Sequence, residues 1–165
     1  APYKSSFFSR TTAKDREMID WALTETNMME FQHRPIGAMS GGQRQRAWIA
    51  MAIAQDTEIL FLDEPTSFLD VAHQMEVLRL VQHLNEAYGK TIIMVLHELN
   101  QAARFAHCLV GMCRGQLLYC GTPEEVFHKE MLHRVFHIDA ELMSDPRTGK
   151  PMCIPYCVNE SEHSV

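Results

Sequence analysis

Two short apolar runs, each ending in ionisable residues, decide the architecture of this chain. Ile59-Leu60-Phe61-Leu62 stops at Asp63-Glu64-Pro65, and Thr91-Ile92-Ile93-Met94-Val95-Leu96 stops at His97-Glu98. Runs this short and this continuous predict strands buried on both faces. Between them Asp70 can cap a helix over residues 71–88, with Met75, Leu78, Val81 and Leu84 inward and Gly89 at its end. Strand, long helix, strand is a βαβ unit, and its crossover requires parallel strands. Ligands of open α/β sheets gather at the carboxyl ends of the strands, so Asp63, Glu64 and His97 are expected on one rim.

The remaining segments follow from caps and breakers. Thr12 can cap a helix over residues 13–26 with Met18, Ile19, Ala22 and Leu23 as its apolar stripe. Gln32 to Gly37 break the chain. Ser40 with Gln43 three residues on is a capping box, and the helix it starts runs to about Gln55, with Ala47, Ala50, Met51 and Ala54 on one face. A short helix is expected over 99–106, then strands over 108–112 and 116–119 around Arg114-Gly115. Pro123 opens a helix that continues through Val135. Turns and a hairpin are expected around Asp145-Pro146, Thr148-Gly149 and Pro155. Residues 1–10 read as a loop and those after Asn159 as a disordered tail. The fold class is α/β.

Three groups of residues suit phosphate chemistry. Ser40-Gly41-Gly42-Gln43 lies at a helix start, where amides without acceptors and the positive end of the dipole attract anions. Two glycines allow close approach, although most isolated Ser-Gly-Gly runs are flexible turns. Asp63 at a strand end can hold Mg²⁺ through water, and Glu64 can deprotonate an attacking water; the bland alternative is a solvated acidic pair. His97 can bond a phosphate oxygen and hold that water, although a lone histidine is more often structural. A net charge of −6 speaks against a nucleic-acid binder. No apolar run approaches the ~18–20 residues of a membrane span, and no signal peptide opens the chain. The cysteines Cys108, Cys113, Cys120, Cys153 and Cys157 are odd in number and irregular in spacing, which suits reduced, mostly buried thiols better than a disulfide framework or a zinc site at Cys153-x3-Cys157.

Order and separation of these groups resemble the ABC ATPase family. Met39-Ser40-Gly41-Gly42-Gln43 resembles its signature motif, with Met39 in place of leucine. Ile59 to Glu64 resembles Walker B with the catalytic glutamate attached, Ser67-Phe68-Leu69-Asp70 the D-loop, and His97 the switch histidine. Gly41 to Ala52, His73-Gln74, residues 94–97, residues 99–104 and Gly121-Thr122-Pro123 are similar to the iron-siderophore importer ATPases of that family. Glu98 departs from the commoner aspartate, and Ser67 and Phe68 from a position that often carries threonine.

The resemblance implies a partial P-loop NTPase fold. Residues 1–57 form a helical subdomain ending in the signature helix, residues 58–158 the C-terminal part of the ATPase core, and residues 159–165 a tail. It implies ATP and Mg²⁺ as cofactors. Ser40, Gly41, Gly42 and Gln43 contact an ATP held mainly by a second subunit, Asp63 holds Mg²⁺ through water, Glu64 is the general base, His97 positions water and γ-phosphate, and Asp70 links the two sites of a homodimer. It further implies transmembrane permease subunits, contacted by the helices around Met39, a solute-binding protein, and a place on the cytoplasmic face of the membrane, with no nucleic acid. The sequence contains no Gly-x4-Gly-Lys-Ser/Thr loop, so the chain reads as a C-terminal piece, inactive alone, whose strand 91–96 has an unpaired edge that invites self-association. The alternatives are a catalytically dead module that pairs with an intact subunit and a non-transport ABC ATPase.

Overall fold

A computed structural model describes residues 12–158, which divide after Val95 into two compact units. In the first, α1 (Ala13–Glu25) begins at a Thr12–Asp15 capping box and α2 (Gly41–Ile53) at the Ser40–Gln43 box. Strands β1 (Ile59–Asp63) and β2 (Thr91–Val95) flank α3 (Val71–Tyr88), which Asp70 caps and Gly89 ends in the left-handed conformation (φ 64°). The strands pair in parallel from Ile59↔Thr91 to Asp63↔Val95, as the βαβ pattern predicts, and β2 has no other strand partner among the described residues.

The core of this unit is Ala22, Ile49, Ala50, Ile53, Leu60, Val77, Val81 and Leu84, with Trp21, Leu62, Ile92 and Met94 against it. Three expectations change here. The strands are buried on one face only: Leu60 is buried, whereas Phe61 is 71% exposed and Ile59, Ile93 and Val95 lie open beside it. The helices cover the Leu60–Ile92 side, and nothing among the described residues covers the other. Ile19 is exposed, and Trp21 packs on the core in its stead. Helix α2 turns Gly42, Ile49, Ala50 and Ile53 inward with Ala54 against the core, so Ala50 and Ala54 lie where expected, while Ala47 is half-buried and Met51 exposed because the isoleucines at 49 and 53 take the centre of the buried face.

The second unit holds α4 (Leu99–Phe105), the antiparallel pair β3 (Leu109–Cys113) and β4 (Gln116–Gly121), the short α5 (Pro123–Val126), α6 (Lys129–Phe136), and the hairpin of β5 (Ile138–Ser144) with β6 (Pro151–Val158). The helix expected to run unbroken from Pro123 is two helices. Phe127 leaves helical geometry (ψ 77°), and His128 caps α6 by accepting from the Met131 N–H. Phe127, Met131, Leu132, Ala103, Ala140 and Cys153 form the core. Cys153 is the one buried thiol; Cys108, Cys120 and Cys157 are exposed, contrary to the expectation of mostly buried cysteines. The loop expected over residues 1–10 and the tail after Asn159 lie outside the described residues.

Leu78→Ala removes a side chain with no exposed surface; in urea denaturation it should cost about 2–5 kcal/mol. Phe61→Thr on the open sheet face should leave that stability nearly unchanged and reduce self-association in sedimentation.

Candidate functional site

Ser40 holds extended backbone (φ −64°, ψ 167°) in front of α2. Its Oγ accepts from the Gln43 N–H at 3.3 Å, and its own N–H donates to Gln43 Oε1 at 3.0 Å. The box orders the first turn, in which the Gly41 and Gly42 amides have no intrahelical acceptor. An ordered turn with those donors and the positive helix end is suited to a phosphate oxygen.

Gly42 is buried, and the reason lies on α3. A Cβ at Gly42 would meet His73 Cδ2 at 2.4 Å, and one at Gly41 would touch Leu69 Cδ2 at 3.5 Å. His73 cannot give way freely, because Asp70 grips it. The Asp70 carboxylate accepts the His73 backbone N–H at 2.9 Å and lies 2.8 Å from His73 Nδ1 through both oxygens. These bonds, the backbone one first, hold the Asp70 carboxyl below its ordinary value of 3.8. An ionised carboxylate only accepts, so Nδ1 of His73 carries the proton. Gln74 Nε2 donates to the Leu69 carbonyl at 3.1 Å and secures the same turn. The structure thus brings Asp70 and Gly42, expected as separate motifs, to opposite sides of one imidazole. In the sequence analysis His73 stands out only through the importer resemblance; its place three residues after the Asp70 cap is the physical signal that could have marked it.

Glu64 follows β1 with left-handed backbone (φ 46°), and its Oε2 accepts from Ser67 Oγ at 2.8 Å. Ser67 N–H donates to the Glu64 carbonyl at 3.1 Å, closing a turn anchored by buried Pro65 and Thr66. Phe68 is also left-handed (φ 61°) and wholly exposed, an uncommon geometry for a bulky residue. Asp63 ends β1 opposite Val95 and is exposed. A solvated carboxylate at a strand end fits a hydrated Mg²⁺. His97 lies beyond the end of β2, exposed, in the second unit. No group of three or more His, Cys, Asp or Glu side chains among the described residues is placed to enclose a metal, Cys153 and Cys157 included.

Residues 2–67 match the family model described as ABC transporter. The chain is 52% identical over 164 residues to the iron(3+)-hydroxamate import ATP-binding protein FhuC of Bacillus subtilis, covering 99% of this chain and 61% of that protein. The chain belongs to the ABC transporter ATP-binding family. Other ABC relatives carry iron-chelate names too: the ferric enterobactin transport ATP-binding protein FepC of Escherichia coli is 39% identical over 90% of the chain and 55% of its own length. The chain therefore spans a little over half the length of these curated relatives. Its backbone superimposes on an inward-facing metal-chelate type ABC transporter with a TM-score of 0.82, at 28% identity, over 91% of this chain and 60% of that one. An ABC cassette dimer in a post-hydrolysis state with ADP and Pi gives 0.58, at 28% identity, over 69% and 50%.

Glycine-to-alanine changes in open helix positions add about 0.5–1 kcal/mol of stability. Gly42→Ala should instead destabilise, and should turn neutral or stabilising when His73→Ala is added, as read by a double-mutant cycle in urea. Because the Asp70 carboxyl is depressed on folding, its contribution is complete above 3.8 and fades as pH falls through its folded value. The stability gap between wild type and Asp70→Ala should accordingly close in acid melts.

Proposed function

We propose that this chain is part of the ATP-hydrolysing subunit of an ABC importer for iron-siderophore or related iron chelates, which couples hydrolysis to transmembrane uptake. The observation that carries the reading is the first turn of α2, capped by Ser40 and pressed through Gly42 onto the His73–Asp70 pair. An anion-ready helix start tied to a D-loop aspartate suits a nucleotide shared between two subunits, and the names of the relatives point to iron chelates. On this reading residues 1–57 are the helical subdomain and 58–158 the C-terminal part of the catalytic core.

Ser40, Gly41, Gly42 and Gln43 contact the γ-phosphate of an ATP bound chiefly by the second subunit of a homodimer. Asp63 holds hydrated Mg²⁺, which neutralises charge on the phosphates. Glu64 accepts the proton of the attacking water; the Ser67 hydroxyl fixes the direction of its carboxylate. His97 orients that water and the γ-phosphate. Asp70 reports on the neighbouring site, and its hold on His73 passes any movement of the D-loop to Gly42. Permease subunits and a solute-binding protein complete the assembly on the cytoplasmic face of a membrane, and no described helix is long and apolar enough to cross one.

Two preparations test this. The 165-residue chain, which has no Gly-x4-Gly-Lys-Ser/Thr loop, should show no ATP turnover alone. Placed behind such a loop in one subunit it should hydrolyse Mg-ATP, with Glu64→Gln lowering turnover by about 10²–10⁴-fold while ATP binding survives. Turnover by the chain alone, lost on Glu64→Gln, would overturn the assignment.

A further inference from the structure

The second unit carries two thiols for which the ATPase reading has no use. Cys108 and Cys120 lie with their sulfurs 3.9 Å apart, both at the surface. The ladder explains the meeting. Val110 pairs with Cys120 and Leu109 with Gly121, so Cys108, two residues before Val110, shares a face with Val110 and Cys120. Cys108 and Cys120 are diagonal neighbours on the exposed face of the β3–β4 hairpin, where Val110, opposite Cys120, is 55% exposed.

We propose that Cys108 and Cys120 form a dithiol site that low-molecular-weight disulfides oxidise to an intramolecular disulfide. The sulfurs must close from 3.9 Å to about 2.0 Å. Cys108 stands in a bend ahead of β3, outside the ladder that begins at Leu109, so it can move without breaking a strand hydrogen bond. No third His, Cys, Asp or Glu completes a metal site here among the described residues, which favours thiol exchange over metal capture.

The step balances as thiol–disulfide exchange. The Cys108 thiolate attacks one sulfur of oxidised glutathione, forming a mixed disulfide and expelling one glutathione thiolate. The Cys120 thiolate then attacks the Cys108 sulfur, forming the Cys108–Cys120 bond and expelling the second glutathione thiolate. Two protein thiols are oxidised, one glutathione disulfide is reduced to two thiols, and the two protons pass to water or the released thiolates. The contact with Cys108 holds the Cys120 thiol above its ordinary value, which suits Cys108 to the first attack and Cys120 to the second. The other cysteines lack such a neighbour: Cys153 is buried, and burial pushes its thiol up.

The test is incubation of the folded chain with oxidised glutathione, followed by intact mass and fragment mapping after trypsin. Cleavage after Arg104, Arg114 and Lys129 puts Cys108 and Cys120 on separate peptides, and fragmentation distinguishes Cys108 from Cys113 on the first. The expected product is lighter by two hydrogen atoms, carries a Cys108–Cys120 link, and reverts with reductant. Cys120→Ser should stop at a glutathione adduct on Cys108, with an unchanged circular dichroism spectrum showing that the variant folds. Three results would each overturn the proposal: no oxidation of the wild type, adducts on both thiols without a link, or a link that uses Cys113 or Cys157.

Discussion

The close approach of α2 and α3 at Gly42 and His73 governs the first unit. Without a Cβ at position 42 the two helix starts can touch, and the imidazole between them is fixed by the Asp70 carboxylate that also caps α3. Farther along, Val77, Leu78, Val81 and Leu84 stay buried on α3, and Ile49, Ala50 and Ile53 on α2. A larger residue at 42 would have to displace His73 from its carboxylate or wedge apart the helices that form the core. The same contact couples the two helix starts, since the first turn of α2 cannot shift without pressing on His73 and, through it, on Asp70.

Backbone strain gathers beside that contact. Glu64 and Phe68 are both left-handed, four residues apart in a turn held by Ser67, Pro65 and Thr66. Such conformations persist where surrounding structure over-determines them, and they are concentrated at functional sites. Here they let the chain leave β1, turn back within a few residues, and still present a carboxylate at Glu64 and a helix cap at Asp70. Phe68 fills no core in this arrangement. It stands fully exposed at the tip of the turn.

Features written into adjacent residues were legible in the sequence. Thr12, Ser40 and Asp70 cap the helices they were expected to cap, and Gly89 ends α3, because side-chain–backbone capping is local. The parallel β1–β2 pair followed from the length of α3, and the β3–β4 pair from Arg114-Gly115. What depended on tertiary packing was not legible. Continuous apolar strands look alike whether one face or both are covered, so the open Phe61–Ile93 face came only from the structure. The break at Phe127 depends on His128 serving as a cap, a role its residue type does not announce. Motif nominates Ser40, Gly42, Asp63, Glu64, Asp70 and His97 as candidates, and the Asp70–His73 pair is local, but the approach of Gly42 to His73 joins distant segments, and no local pattern encodes it. The exposed Cys108–Cys120 pair is a product of hairpin register for the same reason.

On the proposed reading this chain holds the signature and hydrolytic residues of an ABC nucleotide site, and its sequence contains no Gly-x4-Gly-Lys-Ser/Thr loop to cradle the β- and γ-phosphates. The most direct measurement is a calorimetric titration of Mg-ATP into the 165-residue chain. The account predicts no binding heat up to millimolar nucleotide, since the first turn of α2 offers contacts only to an ATP held elsewhere. Saturable binding at micromolar concentration would contradict it, and would mean that the chain builds a complete nucleotide site from other residues.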